Sequence, residues 1–133
     1  MRILYLISFA ILFSISNYAQ NALPSFKVVP LGVKGGLDES NLSAYMVAPA
    51  QSGNYVCLDA GTSYAGIKKA ISHHVFNNTA TGILRANIKA YLISHAHLDH
   101  VAGVIINSPA ATNKNIYGTA FCLNNIKNHY LQL

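Results

Sequence analysis

The chain has 133 residues, 52% of them hydrophobic and only 10% charged, with a formal net charge of +5. That length allows one small domain, and the low charge with 8 Tyr and 5 Phe excludes a disordered chain, which needs few large apolar residues and a high net charge. Nucleic-acid binding is also disfavoured: Lys27, Lys34, Lys68, Lys69, Arg85, Lys89, Lys114 and Lys127 are scattered, with no run longer than two, where a nucleic-acid face clusters its basic residues. A positive balance of this size tolerates an anionic substrate without specifying one.

Residues 1–19 have the pattern of an export signal. Arg2 provides the positive start, Ile3 to Ile15 form an apolar run broken only by Ser8 and Ser14, and polar Ser16, Asn17 and Tyr18 lead to Ala19. The run lies in the signal-peptide range and is short of the ~20 residues of a membrane span. An uncleaved anchor is the alternative, because Asn17 is not the small residue favoured at the −3 position. The mature part is expected to cover 20–133, in the periplasm or outside the cell, with no stable membrane association after cleavage. Export permits a disulfide, but only Cys57 and Cys122 are present. One bridge and two buried thiols both remain open.

The rest reads as alternating strands and helices. Phe26 to Leu31 is β-prone and ends at Gly32, and a turn-rich stretch, Gly35 to Asn41, follows. Ser43 to Ala48 and Asn54 to Leu58 form a hairpin around Pro49–Gly53. Tyr64, Ile67, Ala70 and Ile71 mark one face of a helix. A polar loop is expected around Asn77 to Thr81, a buried strand at Ala90 to Ile93, and a helix at Val101 to Ile106, before Pro109. Ile116–Tyr117 is a short strand and Ala120 to Leu131 a last helix. No repeat, linker or low-complexity tract divides the chain.

Residues 94–100 read Ser-His-Ala-His-Leu-Asp-His, gathering three of the six histidines of the chain with an aspartate. A chance polar loop is the bland reading, and the concentration of histidine argues against it. His95 and His97, two apart after a buried strand, send both imidazoles to one side, and Asp99 and His100 follow where a helix begins. Imidazole nitrogen and carboxylate oxygen are the ligands that zinc favours, and two ligand pairs this close suit two ions roughly 3.5–4 Å apart.

The segment resembles the His-x-His-x-Asp-His signature of the metallo-β-lactamase-fold hydrolases. Its surroundings resemble one branch, the class II 3′,5′-cyclic-nucleotide phosphodiesterases: Leu31 to Tyr45 with its Gly35-Gly36-Leu37, Leu58-Asp59-Ala60-Gly61-Thr62, Tyr91 through Gly103 to Ile106-Asn107-Ser108-Pro109, and Asn115-Ile116-Tyr117-Gly118. The resemblance spans about residues 27–130. It implies an α/β fold, the first half of an αββα sandwich, and hydrolysis of cyclic AMP or cyclic GMP to the 5′-nucleotide with two Zn2+ ions. His95 and His97 would hold the first ion and Asp99 and His100 the second, with Asp99 also orienting the nucleophile. Asp59 would support the metal loop, although a plain strand-end turn explains it equally well. The family site also uses a third histidine, a bridging carboxylate and a further histidine in its later half. No Asp or Glu follows Asp99 here, and His129 is the only later histidine, which the pattern does not make a ligand. The chain is therefore expected to be the N-terminal portion of such an enzyme, inactive by itself. The alternatives are another hydrolase of the same fold and a non-catalytic secreted remnant that binds metal.

Other residues have plainer expected roles. His73 and His74 are expected to face solvent, as are Lys68 and Lys69 on their helix. Gly35-Gly36 is either a tight turn or part of a substrate-side loop. Asn41-Leu42-Ser43 and Asn77-Asn78-Thr79 are glycosylation sequons only in a eukaryotic source. If Ala19 or Ala22 precedes the cleavage site, mass spectrometry of the exported product will find an N-terminus at Gln20 or Leu23; a soluble cytoplasmic product retaining Met1 would overturn export.

Overall fold

The computed structural model describes residues 23–131; the expected export signal lies outside them. Five strands form one sheet in sequence order: β1 (Phe26–Gly32), β2 (Ala44–Pro49), β3 (Tyr55–Leu58), β4 (Ile88–Leu92) and β5 (Asn115–Tyr117). β1–β2 and β2–β3 are antiparallel, and β3–β4 and β4–β5 are parallel. A parallel pair requires a crossover, and here each crossover carries a helix: α1 (Ser63–Ser72) between β3 and β4, and α2 (Leu98–Asn107) between β4 and β5. A third, α3 (Ala120–Tyr130), follows β5.

Side chains alternate across a strand, and the register turns that alternation into two different faces. Val29, Met46, Cys57, Tyr91 and Ile116 lie in one row across all five strands. The first four are buried in a core shared with Ile67 of α1, Val101 of α2 and Ile126 of α3. Met46, Ile67, Leu84, Ile88 and Val101 are sealed from solvent, each worth roughly 1.5–3 kcal/mol of apolar burial. On the opposite face, Tyr45, Leu58, Leu92 and Tyr117 form a row beside Val28, Val47 and Val56. Val28, Leu92 and Tyr117 of that face are each about half exposed, at 57%, 47% and 53%. No described element covers it. At the outer edge, β1 carries Pro30, and its pairing with β2 shifts register between Pro30 and Gly32.

The element reading needs correction in three places. The expected loop holds only over Asn77 to Thr79: the Thr79 hydroxyl accepts the Gly82 N–H, a short helical turn runs over Ala80–Gly82, and a wider π-type segment follows at Ile83–Asn87. Burial of Ile83 and Leu84 drives this. β4 begins at Ile88 rather than Ala90, because Ile88 pairs with Tyr55. α2 begins at Leu98 rather than Val101, so Asp99 and His100 lie in its first turn; the His97 carbonyl accepts the His100 and Val101 amides. Cys57 and Cys122 are both free and buried, and burial, with the nearby Asp59 charge, pushes the Cys57 thiol up to about 12. Among the described residues no helix is long and apolar enough to cross a membrane.

Glycine sets how closely α2 approaches the end of β3. The Gly103 N–H donates to the Ala60 carbonyl at 2.6 Å, and a Cβ at Gly103 would run into that oxygen and the Ser63 hydroxyl. A Cβ at Gly53 would meet only the Asn87 side chain, at an ordinary 3.6 Å. Gly103→Ala is therefore expected to cost about 2–3 kcal/mol through overpacking, and Gly53→Ala less than about 0.5 kcal/mol, as read by urea unfolding.

Candidate metal centre

The site forms where β3 and β4 end side by side. After Leu58 the chain turns at Asp59, whose φ of 53° is left-handed, a region that Asp and Asn tolerate better than other non-glycine residues. The turn buries the Asp59 side chain against the start of the histidine loop. One carboxylate oxygen accepts the Ser94 amide at 2.8 Å and the Ser94 hydroxyl at 2.9 Å. The other accepts from Nδ1 of His100 at 2.7 Å. Asp59 thus joins two points of the loop that lie six residues apart.

These bonds select tautomers. With the Nδ1 proton of His100 committed to Asp59, Nε2 keeps its lone pair and faces the Asp99 carboxylate at 3.4 Å. The Ser94 hydroxyl, donating to Asp59, accepts from Nδ1 of His95 at 3.0 Å, which leaves Nε2 of His95 free in the same way. A second acidic–backbone contact fixes Asp99. The Gly36 N–H donates to Oδ2 at 2.9 Å, from 63 residues earlier in the chain. That bond is the main cause that lowers the Asp99 carboxyl from its ordinary value. Gly36 adopts φ 64°, which glycine allows at no steric cost. Its turn is braced by the Lys34–Asp38 ion pair and by the Val33 and Lys34 amides on the Asn41 carbonyl.

His95, Asp99 and His100 place one ligand atom each within 4.8 Å of one another. His97 stands outside that trio, its ring edge-on to His95 with centroids 4.6 Å apart. Two imidazole nitrogens freed by their outer hydrogen bonds and one ionised carboxylate form a donor set that suits zinc. Asp59 bonds to Ser94 and His100 of the histidine loop, and Asp99 lies within the same cluster as His95 and His100. His73 and His74, after α1, are exposed and take no part, and Lys68 and Lys69 are likewise exposed. His129, on α3, shares a hollow with His95 and His97 but not the ligand cluster. Sequence reasoning missed Ser94 and gave Gly36 no specific contact. The Ser directly before the first histidine and the paired glycines were the signals available.

Residues 25–132 match the family described as class II cAMP phosphodiesterases. The chain belongs to that family. It is 36% identical over 94% of its length to a Yersinia pestis protein named a probable 3′,5′-cyclic-nucleotide phosphodiesterase. It is 40% identical over 80% of its length to an Aliivibrio fischeri 3′,5′-cyclic-nucleotide phosphodiesterase. The matches span 39% and 35% of those relatives. The crystal structure of unliganded yeast PDE1 superposes with a TM-score of 0.70 at 18% identity, covering 80% of this chain and 45% of that one. The fold is thus α/β, corresponding to the first half of an αββα metallo-β-lactamase-like sandwich.

The Asp59 contacts generate a direct test. Asn accommodates the same backbone, but its NH2 group cannot accept from Ser94 or His100. Asp59→Asn is expected to weaken zinc binding about 10–100-fold, the usual cost of losing a group that orients a ligand, with His73→Ala unchanged. Competition against a fluorescent chelator measures both.

Proposed function

We propose that the chain carries the metal-binding portion of a 3′,5′-cyclic-nucleotide phosphodiesterase that opens cyclic AMP or cyclic GMP to the 5′-nucleotide. The observation behind this reading is the convergence of His95, Asp99 and His100 on the Asp59 anchor in a chain of the class II family. We assign His95 and His97 to one ion and Asp99 and His100 to its neighbour, both zinc. Bound there, zinc would supply Lewis acidity for the phosphoryl oxygens and make water a nucleophile near neutral pH.

The chain's own residues do the positioning. Asp59 and Ser94 aim the His95 and His100 rings. Gly36 fixes the Asp99 carboxylate through Oδ2 and keeps it ionised, able to accept a hydrogen bond from an attacking water and orient it toward phosphorus. A catalytic zinc takes three protein ligands besides water, and this chain offers two per ion, so the assignment also requires ligands from residues beyond those that match here. We also assign the protein to export, on the pattern of residues 1–19.

The reading is tested in a chimera in which residues 25–132 replace the matching segment of the Aliivibrio fischeri phosphodiesterase. The chimera is expected to hydrolyse cyclic AMP. His95→Ala, His97→Ala, Asp99→Ala and His100→Ala should each cut the rate at least about 100-fold, and His73→Ala and His74→Ala should not change it. The 133-residue chain with zinc is expected to turn over more slowly than about 1 per second, a typical lower value for enzymes. Full activity in the His97 variant would overturn the site assignment.

A further inference from the structure

We propose that Tyr130 is a positioning residue for the His95–His97 pair, an inference that rests on reading this loop as the metal centre. The two histidines are separated by Ala96, so the directions of both imidazoles depend on the backbone there. Before it, the Ser94 amide is held by Asp59. After it, the His97 carbonyl accepts the first amides of α2. Among the described residues, the tie between those anchors is the Tyr130 hydroxyl, which donates to the Ala96 carbonyl at 3.1 Å. A donor on that carbonyl sets the peptide plane joining Ala96 to His97, and with it the geometry between the two rings.

Tyr130 is placed to do this by the packing of α3. Cys122 and Ile126 are the buried residues of that helix, and Tyr130 lies one turn beyond Ile126 on the same face, the i,i+4 relation of a helix. Its half-buried ring packs against the core together with Ala96. The ring also forms one wall of a hollow of about 370 Å³ whose other walls include His95, His97, Asn125 and His129. An aromatic body carrying a polar tip suits a wall that must both exclude water and donate one hydrogen bond. Phenylalanine would keep the wall and lose the bond.

The test uses the full 133-residue chain with Tyr130→Phe, and Tyr130→Ala as a second variant that also removes the ring. Deuterium uptake of the metal-free protein is followed by mass spectrometry in peptides covering the histidine loop, α3 and β4, and zinc affinity is measured by chelator competition. In Tyr130→Phe the amides of Ser94, His100 and Val101, whose hydrogen bonds flank Ala96, are expected to exchange several-fold faster than in the parent, with α3 and β4 unchanged and zinc bound about tenfold more weakly. Tyr130→Ala should show the same loop effect with added exchange in α3. Parent-like loop exchange in Tyr130→Phe would overturn the proposal, as would an increase spread evenly through α3 and β4, which marks a purely structural role. A parent chain that binds no zinc would instead overturn the metal reading of the loop, and the exchange comparison would still decide the role of Tyr130.

Discussion

The candidate site depends on the Asp59 carboxylate. It is 9% exposed, stands in left-handed backbone, and accepts hydrogen bonds from Ser94 and His100. A carboxylate removed from water is costly unless its oxygens are satisfied, and here the groups that satisfy them are the two ends of the histidine loop. The same contacts that compensate burial therefore hold the His100 ring with its Nε2 toward Asp99. Stability and site geometry are carried by one set of bonds, so neither changes without the other.

The fold delivers these groups from distant parts of the chain. β3 and β4 end together because they are parallel neighbours, which brings Asp59 beside Ser94. α2 can start at Leu98 and still reach the turn after β3 because Gly103 lets its backbone lie against Ala60. The turn around Gly36 then closes over the first turn of α2 from the opposite end of the sequence. A negative side chain in that turn also meets the unpaired amides at the start of the helix, where negative charge is favoured.

Much of this was legible in the sequence, for identifiable reasons. The β-prone runs Phe26 to Leu31 and Ser43 to Ala48 and the helical spacing of Ile67 and Ala70 located three elements, but both strands are apolar on each face, so their buried side (Val29, Leu31, Ala44, Met46 and Ala48) was set by packing and not by a local pattern. The histidine loop stood out by composition, with three of the six histidines and an aspartate gathered at residues 95–100. The π-type segment at Ile83–Asn87 was not legible, because it is held by burial of two apolar residues and by the Thr79 cap rather than by a local repeat. The early start of α2 was hidden by polar residues that serve as its first turn. The contacts of Gly36 with Asp99 and of Tyr130 with Ala96 join residues 63 and 34 positions apart, and no local pattern encodes such pairs.

The edges of the sheet and its uncovered face lead to different kinds of association. β1 has a proline and a register shift at its border, and β5 has only three residues, features that discourage another strand from adding to an edge. The face bearing Val28, Leu92 and Tyr117 has no such protection, and exposed apolar patches of that kind promote contact. Crowding of this layer against itself is thus steered toward side-chain packing between faces and away from growth by backbone pairing.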